Sequence, residues 1–241
     1  MMIPKIIHYI WFGPKPFPKI VNQCIESWHK HLPDYEFKLW NEDSFDIQNS
    51  CKFVREAYKA KKYAFVSDYV RIWALEKYGG IYLDTDIEIL KSFSSKILNN
   101  EIVLGTDDGG YLTALMMSCP HHTFFQEVLG MYKEMDFHME VNNTHLQKLL
   151  LKYGYEIKNK HQILRNNIIV FPDDFFHVRS LTSGKLNITG NSYAIHWHTI
   201  TWVPLKTKII NYLRIKVIVP ILGGKLYTKI TSKLKGNKSY V

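Results

Sequence analysis

Strands and helices alternate along residues 5–90 of this 241-residue chain. The segment KIIHYIWF is β-branched and aromatic and predicts a buried strand. PKIVNQCIESWHKHLP then places Ile20, Cys24 and Trp28 on one helix face between two prolines. YEFKLW predicts a second strand, residues 54–62 and YAFVSDYVRIWALEKY predict two helices, and IYLDTDIEIL predicts a third strand after a Gly-Gly pair. This order predicts a three-layer α/β sheet, in which ligands bind at the carboxyl ends of parallel strands.

The later part of the chain carries weaker signals. EIVLGTD, NIIVFP and SYAIHWH predict strands, and HHTFFQEVLGMYKEM and THLQKLLLKYG predict helices. With 46% hydrophobic residues, the chain can bury a full core. We expect one catalytic domain at residues 1–202 and a basic amphipathic segment at residues 203–241.

The positive charge of the chain lies in that C-terminal tail. Residues 203–241 hold nine lysines or arginines and no acidic residue, whereas the rest of the chain is balanced. A nucleic-acid-binding protein would instead carry basic residues across its folded domain, so we expect no nucleic-acid partner. The apolar clusters of the tail are interrupted by Arg214, Lys216 and Pro220 and are too short to span a bilayer. The tail predicts an interfacial segment on an anionic membrane surface, or else a helical hairpin that completes the domain.

The cysteines and the N-terminus bear on localisation. Three cysteines without a C-x-x-C pair argue against a disulfide framework and favour a reducing compartment. The apolar run before Gly13 and Pro14 is short and has no small-residue cleavage site, so we predict no signal peptide. The expected location is the cytoplasm, with the chain peripheral on the inner face of the cytoplasmic membrane.

Asp84 and Asp86 form a D-x-D pattern at the end of an apolar segment. Alternation along a strand would put both side chains on one face, at the carboxyl edge of the sheet. Hard divalent cations prefer such oxygen ligands, often together with substrate phosphates. The pair therefore predicts a metal-diphosphate site, although a solvated loop or a metal-dependent phosphohydrolase that uses Asp84 would show the same pattern.

Three further features are ambiguous when taken alone. Asp68 and Arg71 are spaced as an intrahelical ion pair, but a guanidinium beside a carboxylate also suits phosphate and sugar recognition. His196 and His198 would share a strand face as core residues, or His196 would join carboxylates at a metal. Trp11 either caps the core or offers its face to a nucleobase.

Taken in order, IPKIIHYIWFG, SDYVRIWALEKYGGIYLDTD and HWHTITW are much more specific than any one motif. They resemble the D-x-D sugar-binding region of glycosyltransferase family 32, whose members include bacterial capsular-polysaccharide transferases and yeast initiating mannosyltransferases. They are also similar to the glucosyltransferase domains of large clostridial toxins. The resemblance implies a GT-A-like fold, with a mostly parallel central sheet flanked by helices, that binds a nucleotide-diphosphate sugar.

The same resemblance implies roles for single residues. Asp86, Arg71 and Asp68 would be catalytic, and Asp84, Asp86 and His196 would hold Mn²⁺ or Mg²⁺. The substrate-binding residues would be Trp11, stacked on the base as in the family's W-I-G-G motif, with Ile10 beside it, Ser67, Tyr82, Asp84, Thr113, Thr201 and Trp202. Thr113 stands where relatives have an asparagine near the transferred sugar, and Thr201 stands for a serine.

The implied reaction is hexose transfer from a UDP-sugar to a saccharide acceptor with retention of the anomeric configuration. The acceptor would be lipid-linked, and the product would belong to a bacterial surface glycan such as capsular polysaccharide or lipopolysaccharide. A GDP-mannose-dependent mannosyltransferase is the alternative.

Overall fold

The structure, a computed structural model, describes residues 2–107, 112–137, 142–181 and 183–199, and the single positions 213, 217 and 221. The strands are β1 (Ile6–Ile10), β2 (Glu36–Trp40), β3 (Gly80–Leu83), β4 (Ile87–Ile89), β5 (Ile102–Gly105), β6 (Leu112–Ser118), β7 (Gln162–Leu164), β8 (Ile168–Phe171) and β9 (Ala194–His196). The helices are α1 (Lys19–His31), α2 (Lys52–Lys59), α3 (Tyr63–Tyr78), α4 (Ser95–Leu98), α5 (Thr123–Glu134), α6 (Asn142–Lys152) and α7 (Asp173–Phe176), and a 3₁₀ turn spans Arg165–Asn167.

The predictions for Thr201, Trp202 and the tail from residue 203 concern positions outside the described residues, apart from the three single positions in the tail. Within the described ranges, no helix combines the length and the apolar character that a membrane crossing requires.

Seven strands form one mixed sheet in the order β2-β1-β3-β6-β5-β8-β7. Five of these strands run in one direction, and β6 and β7 run in the other. Hydrophobic clusters cover both faces, one beneath α2, α3, α5 and α6 and the other beneath α1 and α7. The predicted α/β class, with a mostly parallel central sheet flanked by helices, is confirmed.

The order of the strands around β1 determines where a ligand binds. The chain leaves β1 for β2 on one side and returns to β3 on the other, and β1 is parallel to both. The carboxyl ends of β1 and β3 therefore flank a topological switch point, which is where open α/β sheets bind ligands. Trp11 follows β1 directly, and Asp84 follows β3 directly.

The prediction of one strand through IYLDTDIEIL is wrong in one respect. β3 ends at Leu83, and β4 belongs to a separate two-stranded sheet with β9, so Asp84 and Asp86 lie in the turn between two sheets. They are brought together by this turn rather than by alternation along a strand. Helix α1 holds β4 in place, because Trp28 Nε1 donates to Ile87 O at 2.6 Å and Ser27 Oγ accepts from Ile89 N at 2.9 Å.

Two other segments differ from the sequence-based predictions. Strand β6 covers TALMMS, which carried no strand prediction, and pairs antiparallel with β3 and β5. The late strand SYAIHWH is shorter than predicted: β9 ends at His196, and His198 adopts a left-handed conformation with φ 54°. His196 and His198 therefore do not share a face of a regular strand.

Helix α3 ends at a Gly-Gly corner that the backbone requires. Gly79 and Gly80 have φ values of 63° and 98°, which favour glycine. A Cβ on Gly80 would lie 2.6 Å from Ile6 O, so the corner also needs the absence of a side chain. This corner turns the chain from α3 directly into β3 and places Arg71 of α3 behind the D-x-D turn.

Candidate active site

Arg71 lies at the centre of the candidate site, buried on the inner face of α3. Its Nη2 pairs with Asp68 Oδ1, and its Nη1 lies 3.5 Å from Asp84 Oδ1 and donates to Thr113 O at 3.1 Å. Its guanidinium carbon also stands 4.9 Å from the centroid of the Tyr82 ring. The predicted Asp68–Arg71 pair is therefore present, and it extends beyond the helix to the first aspartate of the D-x-D turn.

Tyr82 joins this group from β3. Its hydroxyl donates a hydrogen bond to Asp84 Oδ1, while the side chain is almost fully buried. Burial, followed by the charge and hydrogen bond of Asp84, raises the pKa of Tyr82 well above its usual value despite the opposing charge of Arg71. Tyr82 is therefore a donor to Asp84 and not a base. The side chain of Asp84 remains 30% exposed, so part of this carboxylate faces outward.

Asp86 is held by a second, separate group of partners. The register of the small sheet sets Ile87 opposite His196, and His196 Nε2 lies 3.3 Å from Asp86 Oδ1. Thr199 donates twice to Asp86 Oδ2, from its backbone N at 2.6 Å and from Oγ1 at 2.9 Å. Pairing of β4 with β9 thus brings together two residues that lie 110 positions apart in the chain.

The charges of these groups set their protonation. Burial would raise the pKa of Asp86, but the hydrogen bonds and charge of His196 and the donors of Thr199 lower it to about 2. For His196, burial acts to lower the pKa, and the hydrogen bond and charge of Asp86 raise it overall. For Arg71, burial acts to lower the pKa, but Tyr82, Asp68 and Asp84 raise it overall. Asp86 is therefore a carboxylate and Arg71 a cation at neutral pH.

The donor set of the D-x-D turn fits a divalent cation. One ligand atom from each of Asp84, Asp86 and His196 lies within 4.8 Å of the others. Two carboxylates and one imidazole are donors that suit Mn²⁺ or Mg²⁺, with substrate phosphates completing the coordination. The residues predicted as metal ligands from the sequence are thus brought together.

The remaining residues predicted to bind substrate have different surroundings. Trp11 is half-buried, packs edge-on against Phe17 at 5.1 Å, and donates from Nε1 to Lys15 O at 2.7 Å. The side chain of Ile10 is only 5% exposed and packs in the core. Ser67 donates from Oγ to Tyr63 O at 3.1 Å.

Thr113 is the second residue of β6, and its carbonyl accepts from Arg71. This contact places the backbone of Thr113 beside the guanidinium at the D-x-D turn. The role that the resemblance implies for Thr113, near the transferred sugar, stays a prediction.

Sequence reasoning missed two residues near the site. Thr199 lies inside the quoted motif HWHTITW, but its role depends on a hydrogen bond to a residue 113 positions earlier. His177 follows α7 and lies with its ring centroid 4.7 Å from that of His198. No spacing in the sequence signals His177, because α7 and β9 meet only through the tertiary fold.

Comparison with known proteins identifies the region that contains this site. Residues 18–104 match the family model described as "Glycosyltransferase sugar-binding region containing DXD motif". The matched region runs from α1 to β5 and includes Arg71 and both aspartates. The resemblance to family 32 is confirmed by this match, and the D-x-D at the carboxyl edge of the sheet agrees with the predicted GT-A-like domain.

Two curated relatives and one solved structure illustrate the similarity. The chain is 30% identical over 218 residues to "Inositol phosphoceramide mannosyltransferase 2" of Schizosaccharomyces pombe, covering 83% of this chain and 58% of the relative. It is 28% identical over 138 residues to "Mannosyl phosphorylinositol ceramide synthase CSH1" of Saccharomyces cerevisiae, covering 55% and 36%. Among solved structures, "PaToxG Glycosyltransferase" superposes with a TM-score of 0.49 and 19% identity over 63% of this chain and 69% of the other. The matched segments thus span less than two thirds of the first of these curated relatives and about a third of the second.

Proposed function

Because residues 18–104 match the model of a glycosyltransferase sugar-binding region of the D-x-D type, we propose that this chain transfers a hexose from a nucleotide-diphosphate sugar to a saccharide hydroxyl. The observation that carries the proposal is the pairing of each aspartate with its own partner at one edge of the sheet. Asp84 is bound to Arg71 and Tyr82, and Asp86 is bound to His196 and Thr199. A solvated acidic loop would not hold both carboxylates in this way.

The residues of the chain have distinct tasks in this proposal. Asp84, Asp86 and His196 hold Mn²⁺ or Mg²⁺, which supplies positive charge that offsets the charge developing on the leaving diphosphate. Arg71 adds a fixed positive group, which its carboxylate partners and the Thr113 carbonyl keep oriented.

Asp68 orients Arg71 through their ion pair and also binds the donor sugar. Trp11 offers its ring to the base from the neighbouring strand end. We propose that the hexose is transferred with retention, by attack of the acceptor on the face from which the diphosphate departs. A proton NMR spectrum of the first-formed product would contradict this step if its anomeric configuration is inverted.

The nucleotide and the sugar are the finer part of the proposal. The W-I-G-G-like position of Trp11 favours UDP-sugars, whereas the names of the curated relatives favour a mannosyl donor. GDP-mannose-dependent mannosyl transfer is therefore a second candidate. Release of UDP or GDP, measured with a panel of UDP-hexoses and GDP-mannose at equal concentration with and without Mn²⁺, separates the two. Turnover that is equal with and without a divalent cation would contradict the proposed metal.

Variants test the site itself. Asp86→Asn is expected to abolish metal-dependent release of the nucleotide, because it removes the charge that His196 and Thr199 hold in place. Glu36→Gln, on the exposed side of β2, is the matched control and is expected to retain wild-type turnover. Unchanged turnover in Asp86→Asn would contradict the assignment. Hydrolysis of simple phosphate esters without any acceptor would instead favour a phosphohydrolase.

The sequence of the tail and the names of the relatives support a proposal for the acceptor and the cellular location. We propose a lipid-linked saccharide as the acceptor in bacterial surface glycan synthesis, at the inner face of the cytoplasmic membrane, with the basic tail on anionic lipid. The names of the two relatives include inositol phosphoceramide and mannosyl phosphorylinositol ceramide, which are lipids that carry a saccharide or accept one.

Flotation of the full chain with anionic and with neutral vesicles tests this location. Exchange of Lys206, Lys208, Arg214 and Lys216 for glutamate is expected to abolish binding to the anionic vesicles. Each basic residue near such a surface contributes about 1 kcal/mol. Equal flotation of wild type and variant would contradict the membrane role of the tail.

A further inference from the structure

Three histidines form a second group of potential ligands beside the D-x-D turn, which we call the histidine cluster: His177, His196 and His198. One ring nitrogen of each lies within 4.8 Å of the others. The ring centroids of His196 and His198 are 3.9 Å apart, and that of His177 is 4.7 Å from His198. The cluster combines the residue after α7, the last residue of β9, and a residue with φ 54° that turns back toward both.

His196 and His198 each have a buried ring nitrogen without a hydrogen-bond partner among the described residues. His196 Nε2 faces Asp86 Oδ1 at 3.3 Å, while its Nδ1 is buried and finds no hydrogen-bond partner among the described residues. The Nε2 of His198 is buried and equally lacks a hydrogen-bond partner in the part of the chain that is described. Leaving a buried polar atom without a partner is unfavourable, so both nitrogens require a ligand or a water.

The arrangement has the features of a zinc site with an oriented outer shell. A metal-bound histidine usually donates its other N–H to a carboxylate or a backbone carbonyl, and Asp86 is placed to accept from His196 Nε2 in this way.

We propose that His177, His196 and His198 bind a zinc ion, with His196 using Nδ1 and His198 using Nε2, and with the fourth position open. Zinc accepts three imidazole nitrogens at about 2.0–2.1 Å in a tetrahedral site, whereas Mn²⁺ and Mg²⁺ prefer the oxygen-rich ligands of the D-x-D turn. The two donor sets prefer different ions, and because zinc on Nδ1 leaves His196 Nε2 as a donor to Asp86, His196 serves only one of the two ions at a time. The inference concerns the histidine cluster alone and does not depend on the proposed transfer reaction.

The test measures zinc binding by the full-length, chelator-stripped chain in excess Mg²⁺, with a competing zinc indicator. We expect one tightly bound Zn²⁺ per chain in the wild type and in His161→Gln, a matched histidine outside the cluster. In His198→Asn the affinity is expected to fall by more than the roughly 10–100-fold that loss of an outer-shell partner costs. Asparagine tolerates the positive φ of this position, so the variant is expected to fold, which circular dichroism verifies.

Further variants separate the histidine cluster from the D-x-D turn. His177→Gln is expected to weaken zinc binding as His198→Asn does, and Asp84→Asn is expected to leave it unchanged. Co²⁺ as a spectroscopic substitute should give the intense d–d bands of a four-coordinate ion in the wild type and lose them in His198→Asn. Wild-type zinc affinity in His198→Asn, or loss of zinc binding in Asp84→Asn, would overturn the proposal.

Discussion

Thr199→Val is the variant that most directly tests how Asp86 is prepared for a cation. It removes the Oγ1 donor, which lies 2.9 Å from Asp86 Oδ2, and retains the backbone donor at 2.6 Å, because valine has the same branched shape. A hydrogen bond to a charged group contributes roughly 1.5–3 kcal/mol, which corresponds to roughly 10–150-fold in an equilibrium constant. Loss of an outer-shell partner costs a similar factor, roughly 10–100-fold, in metal affinity. We therefore expect Mn²⁺ to bind Thr199→Val about 10–100-fold more weakly than it binds the wild type.

The assay is a titration of the full chain with Mn²⁺, in which electron paramagnetic resonance reports the free ion. The Mn²⁺ concentration for half-maximal nucleotide release should rise by the same factor, while turnover at saturating Mn²⁺ changes little. Thr199→Ser keeps the hydroxyl and is expected to bind Mn²⁺ like the wild type. If Thr199→Val binds Mn²⁺ with wild-type affinity, then either Asp86 is not a ligand or its orientation does not depend on this hydroxyl, and the reasoning fails.

Three further predictions concern stability and the buried cation. Burial lowers the pKa of His8 to about 4, whereas a histidine in the unfolded chain titrates near 6.5, so the unfolded state takes up a proton first as the pH falls. Up to about 3 kcal/mol of the stability present above pH 6.5 is therefore lost by pH 4. Urea denaturation at both pH values should show a smaller loss of stability in His8→Gln. Gly80→Ala should lower the free energy of unfolding by roughly 1–3 kcal/mol, because its Cβ would meet Ile6 O at 2.6 Å, whereas Gly130→Ala, with open space in a helix, should raise it by roughly 0.5–1 kcal/mol. Arg71→Lys keeps the positive charge but loses the planar guanidinium that pairs with two aspartates. Thermal denaturation should show a loss of stability of roughly 1.5–3 kcal/mol for each lost hydrogen bond to a charged group, and the rate of nucleotide release should fall. A wild-type stability together with a wild-type rate would contradict the central role of Arg71.

Local patterns were sufficient to predict most elements of the first half of the chain. The spacing of Cys24 and Trp28 marks the buried face of α1, and the Gly-Gly corner after Tyr78 marks the end of α3. These signals depend on periodicity and on positive φ, which a short segment shows by itself. Both features were therefore readable without knowledge of the tertiary structure.

The break after Leu83 could not be read in the same way. Ile87 and Ile89 continue the apolar pattern of the preceding strand, yet they pair with Ala194 and His196 in another sheet. A change of sheet alters the partner of a strand and not its composition, so the sequence shows one continuous segment. The chemistry of the D-x-D pair was predictable from residue type, whereas the reason for the convergence of its side chains was not.

The histidine cluster illustrates a different limit. His196 was predicted as a ligand from its motif, but its second nitrogen and the approach of His177 depend on the packing of α7 against β9. The left-handed conformation of His198 also lies outside what strand alternation allows. Residue identities therefore indicated one metal site, and only the tertiary arrangement indicates two donor sets.

The pairing of each aspartate explains why a buried segment can end in two acids. Burying an unpaired carboxylate is costly, and here Arg71 compensates Asp84 while His196 compensates Asp86. With Asp68 included, three carboxylates face one guanidinium and one imidazole, so the group carries a net charge between −1 and −2, depending on the protonation of His196. Such a group is ordered before any ligand arrives, which reduces the entropic cost of binding. Because this negative charge is modest, a divalent cation would bind more tightly to the site together with a diphosphate than to the site alone. This is expected for a site that binds the cation and the nucleotide-sugar as one unit.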